Sequence, residues 1–349
     1  MTSGSGFRLV TAVFTVLSLI AGLSFSVRNT DDAPELYLSG YRFFTGNLSD
    51  LTPAEGVFEY EVNAPLFTDY AEKKRFIYLP EGTLLTYTSQ GAFEFPAGAA
   101  IIKNFFYFKD AGSPDKGKRM AETRVLLKGS TGWKAFTYVW NESQSDANLE
   151  VAGAVFPVSW KNMDGKQMHL DYVVPNTNQC KGCHSFDGQF TPAGVNAAQL
   201  NRNNQLQRWA GSGRLAQLPE PSAIPALFDY TTIDDPVRTD KTVLEKGARA
   251  YLEGNCAHCH NPHGPASTSG MFLEATQTDP ERLGIMKPPV AAGRGSGDRK
   301  FGIVPGKPHE SILLYRIEST DPGIRMPELG RQLVHNEGIA LIKAWIRSM

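Results

Sequence analysis

Two C-x-x-C-H strings constrain this chain more than any other feature. They are Cys180-Lys181-Gly182-Cys183-His184 and Cys256-Ala257-His258-Cys259-His260, and together they hold all four cysteines of the 349 residues. Two thiols one helical turn apart can each form a thioether with a haem vinyl group, and the adjacent histidine then reaches the iron. The spacing therefore predicts two covalently bound haem c groups. The predicted attachment and iron-binding residues are Cys180, Cys183, His184, Cys256, Cys259 and His260.

Other chemistries of paired cysteines fit this pattern less well. A thioredoxin-like redox pair belongs in a βαβ unit, and no such pattern surrounds either string. Four-cysteine zinc sites place their pairs about 15–20 residues apart, whereas roughly 70 residues separate Cys183 from Cys256. A disulfide within each C-x-x-C would be strained and would leave both histidines unexplained.

The overall composition excludes one class of partner. The chain carries 35 Lys and Arg against 36 Asp and Glu, for a net charge of -1. No basic excess is present to neutralise a phosphate backbone, so we expect no nucleic-acid partner. With 41% hydrophobic residues the chain can build packed cores, and its length favours two or three domains.

The N-terminal residues indicate export. Arg8 precedes the uncharged, mostly apolar residues 9–25, as in a secretory signal. Small residues at Ser24 and Ser26 suit cleavage before Val27. The alternative is an uncleaved anchor, because the apolar run nearly reaches the length that spans a bilayer. Residues 1–27 are thus predicted to be a signal peptide or N-terminal anchor. The rest of the chain is predicted to be periplasmic, with possible attachment to the inner membrane.

Residues 36–174 have the composition of a β-rich domain. Glycine and proline turns separate segments rich in Val, Thr, Phe, Tyr and Trp. Strands are predicted at residues 75–79, 92–95, 101–108, 122–128, 133–140 and 151–160. Gly129-Ser130-Thr131-Gly132 is typical of the turn of a β-hairpin. We expect an all-β sandwich or barrel of six to eight strands.

The C-terminal residues 239–349 are predicted to surround the second haem. Thr242 and Glu245 have the spacing of a capping box that begins a helix running to about residue 254. Asn336 is positioned to cap a terminal helix, and we expect Tyr251 and Trp345 to meet where the two helices cross. The order helix, C-x-x-C-H, long loop, methionine, helix resembles the small class I cytochrome c domain. The predicted fold is therefore α+β and multidomain, with mainly α-helical cytochrome c-type haem domains after the β domain.

The methionine of that pattern is Met326. It precedes Pro327, which stiffens the backbone beside the sulfur. We predict Met326 as the second axial ligand of the second haem. His258, inside the C-x-x-C-H turn, is predicted to face solvent.

Residues 175–235 form the predicted first haem-binding segment, which is less well specified. Its motif is expected to follow an extended arm, and Leu206 and Trp209 in a helix over 200–213 are expected to pack against the haem. No Met-Pro loop follows within this segment. The sixth ligand is either absent or drawn from a set spread along the chain, comprising Met163, Met168, His169, Met271, Met286 and His309.

Several strings resemble a family of uncharacterised bacterial di-haem c-type cytochromes. These are residues 63–70 (NAPLFTDY), Glu122-Thr123-Arg124-Val125-Leu126, Val174-Pro175-Asn176 ahead of Gln179-Cys180, and Leu200-Asn201-Arg202 followed by Asn204-Gln205-Leu206. The resemblance implies two haems and a β-rich N-terminal domain.

Two functions are consistent with this pattern. The first is an electron carrier between periplasmic redox partners, either other cytochromes or a dehydrogenase. The second is a peroxidase-like enzyme with substrate at an open first haem. Electron transfer is the more strongly indicated, since no acid/base pair of recognisable spacing accompanies the first motif.

Overall fold

The computed structural model describes Met1 and residues 33–349. The predicted signal or anchor, residues 1–27, lies outside the described residues apart from Met1. Among the helices of the described part of the chain, none has the length and apolar character that a membrane span requires.

Fourteen strands lie in the described residues. They are β1 (Phe44–Thr45), β2 (Thr52–Pro53), β3 (Val57–Tyr60), β4 (Glu72–Tyr78), β5 (Leu85–Thr86), β6 (Ala100–Phe108), β7 (Lys118–Gly129), β8 (Gly132–Trp140), β9 (Ala147–Glu150), β10 (Ala154–Lys161), β11 (Gln167–Val174), β12 (Ser185–Phe186), β13 (Gln189–Phe190) and β14 (Leu215–Ala216).

Six of these strands form one antiparallel sheet in the order β3-β4-β6-β7-β8-β9. The predicted hairpin is present as β7-β8, because Gly129 pairs with Gly132 and the chain reverses over the two residues between them. The remaining pairs are β1-β2, β10-β11, β12-β13 and the parallel pair β14-β5. The predicted strand at 92–95 is replaced by single bridges from Ala92 and Glu94.

The sheet buries apolar side chains on both faces. On one face Phe76, Ile102 and Val125 pack against the N-terminal residues Leu38 and Tyr41. On the other face a row of apolar residues packs against residues 195–224, and the β10-β11 hairpin forms a further cluster with Phe105 and Tyr107. This open, covered sheet corrects the predicted sandwich or barrel.

The described residues contain six α-helices, four of them with seven residues or fewer. They are α1 (Thr177–Lys181), α2 (Ala197–Leu200), α3 (Gln205–Gly211), α4 (Lys241–Leu252), α5 (Ile312–Glu318) and α6 (Asn336–Ser348). A π-helical turn, Glu253–Ala257, continues α4 into the second motif.

The predicted mainly α-helical cytochrome c-type domains are therefore wrong, because the structure is β-rich and the haem-motif regions are largely loop. In the described chain no α-helix lies between α4 and α5. The physical reason is local: proline lacks a backbone donor, and glycine costs about 1 kcal/mol in a helix interior. Prolines recur through this stretch at positions 262, 265, 280, 288, 289, 305 and 308.

The helix starts also differ from the predictions. Asp240 caps α4, accepting hydrogen bonds from the backbone N–H of Thr242 (2.8 Å) and Val243 (3.3 Å), so Thr242 is not the cap. Asn336 is the first residue of α6 and does not cap it; the N-cap position is His335, whose side chain makes no capping hydrogen bond. Where α4 and α6 cross, Tyr251 lies against Gly338, where a Cβ atom would come within 2.4 Å of the ring. Tyr251 thus meets Gly338 at the crossing.

Residues 63–70 connect the sheet to both haem-motif regions. The amide of Asn63 donates to the backbone oxygens of Ala198 (2.9 Å) and Asn201 (3.0 Å). The backbone N–H of Phe67 donates to Asn255 Oδ1 at 2.8 Å, just before Cys256. The string behind the family resemblance is thus a structural connection between the regions that carry the two motifs.

Candidate functional site

The first C-x-x-C-H motif begins inside a capped helix. Asn176 Oδ1 accepts a hydrogen bond from the backbone N–H of Gln179, and Gln179 Oε1 accepts one from the N–H of Asn176, both at 2.9 Å. This reciprocal capping box fixes α1, whose last turn carries Cys180. The extended arm predicted over residues 171–179 is present only as far as Val174, where β11 ends; a capped helix, and not extended chain, then carries Cys180.

The two motif histidines share one arrangement. His184 Nδ1 lies 3.1 Å from the backbone oxygen of Thr191, and His260 Nδ1 lies 3.3 Å from the backbone oxygen of Met271. A carbonyl oxygen accepts, so Nδ1 carries the proton in the neutral ring and Nε2 keeps its lone pair. A metal-binding histidine is typically oriented in this way by a partner of its other nitrogen.

The first motif opens into a cavity of about 340 Å³. This volume falls within the range of about 300–1,000 Å³ that is usual for cofactor sites. Cys180, Cys183 and His184 line it, whereas Cys256, Cys259 and His260 do not. The donor atoms and the cavity at the first motif fit a covalently attached haem. At the second motif only the donor atoms fit a haem: the thiols of Cys256 and Cys259 and the Nε2 atom of His260.

The second motif is closely packed. Cys256 is buried in the apolar cluster formed by α4, α5 and α6. Gly254 lies against the backbone oxygen of Ala64, where a Cβ atom would approach to 2.6 Å. A larger residue at position 254 would push the motif away from residues 63–70.

The two motifs are adjacent in space. The thiol sulfurs of Cys183 and Cys259 and a ring nitrogen of His258 all lie within 4.8 Å of one another. Asp187, after the first motif, contacts His263, after the second, with 2.9 Å between Oδ1 and Nδ1. His258 also lines the cavity, and because it is half-buried with its ring beside the two sulfurs, the prediction that it faces solvent is wrong.

This Cys183, His258 and Cys259 group is also a possible metal site in its own right. It supplies two sulfur donors and one imidazole nitrogen, one donor fewer than the four of a structural zinc site. It competes directly with thioether formation, since the same two sulfurs cannot carry both.

The protonation of these groups follows their surroundings. A hydrogen bond from Cys259 lowers the pKa of the Cys183 thiol, and the neighbouring His258 lowers it further. Burial raises the pKa of Cys180, and it raises the pKa of Cys256 to about 12. Burial lowers the pKa of His184 to about 4 and lowers that of His260. Both motif histidines are therefore neutral at pH 7, as iron ligation requires.

Met326 lies in a loop held by one buried arginine. Arg331, 5% exposed, donates to the backbone oxygen of Met326 at 2.7 Å and to those of Arg316 (3.1 Å) and Ser319 (3.0 Å). Met326 is half-buried, and Leu329, three residues on, lines the cavity of the first motif. The loop thus lies near the first motif as well as following the second.

The sixth-ligand candidates for the first haem lie elsewhere. Met163 is 75% exposed and Met286 is 48% exposed. His169 is exposed, and its Nδ1 pairs with Ser159 Oγ at 2.8 Å. None of the six candidates lines the cavity. Leu206 and Trp209, expected against the haem, instead pack on the sheet, where Trp209 meets the ring of Phe58.

Comparisons of the chain with family models, curated proteins and solved structures find no match. The geometry of the two motifs therefore carries the functional argument.

Sequence reasoning did not find every residue of the site. The oxygens of Thr191 and Met271 are backbone atoms, which leave no signal in the sequence. Of the three cavity-lining cations, Lys103 did leave a signal, because it interrupts the apolar strand Ala100–Phe108. Arg75 follows Lys73 and Lys74, and Arg124 follows Glu122 and Thr123, so neither stands out in the sequence.

Proposed function

We propose that this chain is an exported di-haem c-type cytochrome that transfers electrons between periplasmic redox partners. The observation that carries the proposal is the shared orientation of the two motif histidines. Each hydrogen-bonds a backbone carbonyl through Nδ1, His184 to Thr191 and His260 to Met271. In each ring Nε2 therefore keeps its lone pair and can bind a metal ion beside the cysteine pair. The resemblance of residues 63–70 to di-haem c-type cytochromes supports the same assignment.

The residues of this chain have distinct roles in the proposal. Cys180, Cys183, Cys256 and Cys259 would supply the thioether sulfurs, and His184 and His260 would supply nitrogen ligands to iron. Met326 would supply a further sulfur ligand to the haem bound by His260. Haem iron, when bound, supplies reversible one-electron chemistry. The backbone oxygens of Thr191 and Met271 would orient the two histidine ligands.

The adjacency of the motifs supports electron transfer within the chain. Cys183 and Cys259 come from different motifs, yet their sulfurs lie within 4.8 Å of each other. The two attachment points are therefore neighbours, which would favour electron exchange between two groups attached there. Other cytochromes or a dehydrogenase are the proposed external partners.

The test of this function is a redox titration of the holoprotein with ferric EPR spectra of the same sample. We expect two one-electron steps and two low-spin ferric signals. A protein with two attached haems that cannot be reduced and reoxidised reversibly would contradict the electron-transfer role.

A peroxidase-like enzyme is the second candidate, favoured by one observation. None of the sixth-ligand candidates, Met163, Met168, His169, Met271, Met286 and His309, lines the cavity at the first motif. A haem held there with no further protein ligand would be able to bind peroxide or another small ligand. A high-spin ferric signal that peroxide removes would support the enzyme, whereas two low-spin signals support the carrier.

A further inference from the structure

Three cations lie side by side on the sheet face that lines the cavity. Arg75 of β4 pairs with Lys103 of β6, and Lys103 pairs with Arg124 of β7. The next row along the same face is apolar, formed by Ile77, Ile101 and Leu126. We call Arg75, Lys103 and Arg124 the cationic row.

This arrangement is unfavourable without an anion. Like charges directly opposite each other on neighbouring strands destabilise a sheet, and a partly buried charge is costly unless it is paired. Arg124 forms an ion pair with Glu122, whose Oε1 also accepts from the hydroxyl of Tyr172 at 2.7 Å. That carboxylate neutralises one of the three cations.

The other two cations have no such partner. Within residues 33–349 neither Arg75 nor Lys103 makes a side-chain hydrogen bond or an ion pair. Lys103 Nζ lies 4.9 Å from the centroid of the Phe105 ring, and Arg124 Nε is buried without a hydrogen-bond partner. Burial lowers the pKa of both Lys103 and Arg75, which reflects the same unmet charge.

The cationic row faces the candidate haem site. Arg75, Lys103 and Arg124 line the same cavity as Cys180, Cys183 and His184. The two unpartnered cations are suited to two carboxylates of one ligand. An arginine binds a carboxylate through its planar fork, and a lysine adds a point charge.

We propose that the cationic row binds the two carboxylates of a ligand held in this cavity. The carboxylates come either from the propionate side chains of a haem or from a free dicarboxylate that enters the cavity. The first source rests on the proposed function, and the second does not. Glu122 positions Arg124, and Arg75 and Lys103 are the principal anion-binding groups.

The experiment compares Lys103→Met and Arg75→Met with Arg119→Met in the full chain matured in a haem-attaching host. Arg119 is an exposed cation on β7 that does not line the cavity. Covalent haem is first counted in every protein. Three readouts follow: the resonance Raman propionate bending modes, the reduction potentials, and calorimetric titration with succinate. Methionine removes a charge without enlarging the site, and Arg75→Met provides a second variant if Lys103→Met does not fold.

Propionate binding predicts a shifted propionate mode in both row variants and an unchanged mode in Arg119→Met. It also predicts a lower potential for one haem, because lost positive charge favours ferric iron. A tenfold change in the one-electron equilibrium corresponds to about 59 mV. Dicarboxylate binding instead predicts that succinate binds the wild type and binds both row variants at least about tenfold more weakly, with unchanged propionate modes.

The proposal is overturned if the row variants match Arg119→Met in all three readouts. If the wild type carries no covalent haem, the proposed function fails and the succinate titration alone decides about the row. Succinate binding to that protein would support the cationic row as a dicarboxylate site, and no binding would overturn it.

Discussion

The carboxylate of Asp69 accepts a 2.6 Å hydrogen bond from the backbone N–H of Leu333, 264 residues further along the chain. The same oxygen accepts a 2.7 Å bond from the N–H of Gln332. These contacts fasten the end of the Met326 loop to residues 63–70, and so to the sheet.

Replacing Asp69 tests this connection. Asp69→Ala leaves two backbone N–H groups without an acceptor, and each unsatisfied buried group costs about 1–3 kcal/mol. We expect a free energy of unfolding lower by at least about 1 kcal/mol, measured by chemical denaturation. Asp69→Asn keeps Oδ1 as an acceptor and should retain most of the stability. The control Asp115→Ala, at an exposed residue, should change the free energy of unfolding little. If this control lost as much stability as Asp69→Ala, the stabilising role of the Asp69 hydrogen bonds would be contradicted.

The sequence predicted the local features and missed the long-range ones. The hairpin at Gly129 and Gly132 follows from turn chemistry between neighbouring strands. The contact of Asp69 with Leu333 depends on tertiary placement that no short string encodes. The prediction of a mainly helical C-terminal domain was wrong for a related reason. The order of the C-x-x-C-H motif, the methionine and the terminal helix does not say how the proline-rich chain between the motif and the methionine folds. His258 was misplaced because the adjacency of the two motifs was not visible from either one.

Met326→Ala tests the predicted axial ligand of the second haem. A thioether favours ferrous iron, so its loss should lower one reduction potential and let carbon monoxide bind that haem. Any weak ferric absorption at the red end of the visible spectrum should disappear with it. Met286→Ala, at a residue that is 48% exposed, is the matched control. It should change neither the reduction potentials nor the binding of carbon monoxide. Unchanged spectra and potentials in Met326→Ala would require another ligand.

The lowered pKa of Lys73 predicts that the free energy of unfolding rises at alkaline pH. Burial, with Arg75 nearby, lowers its pKa from 10.5 to about 7 in the folded protein. Below pH 7 the lysine is charged in both states and the folded state bears the full cost of burying it. Above pH 10.5 it is neutral in both states and the cost is gone. The free energy of unfolding should therefore rise across this window, with Lys103 adding a contribution of the same sign.

Lys73→Met should remove the Lys73 part of that rise, and denaturation series between pH 6 and 10 measure it. Lys74, which pairs with Glu59 at 3.2 Å, provides the control Lys74→Met. If Lys73→Met and wild type had parallel profiles, the burial of a charged Lys73 would be contradicted.

Intact mass spectrometry of the protein matured in a haem-attaching host, under denaturing conditions, tests the central claim most directly. The account predicts the polypeptide plus two haem masses that acidified organic solvent does not extract. Replacing Cys180 and Cys183 together with alanine should leave one haem, and so should replacing Cys256 and Cys259. An unmodified polypeptide with four free thiols, retaining zinc at Cys183, His258 and Cys259 under native conditions, would contradict it.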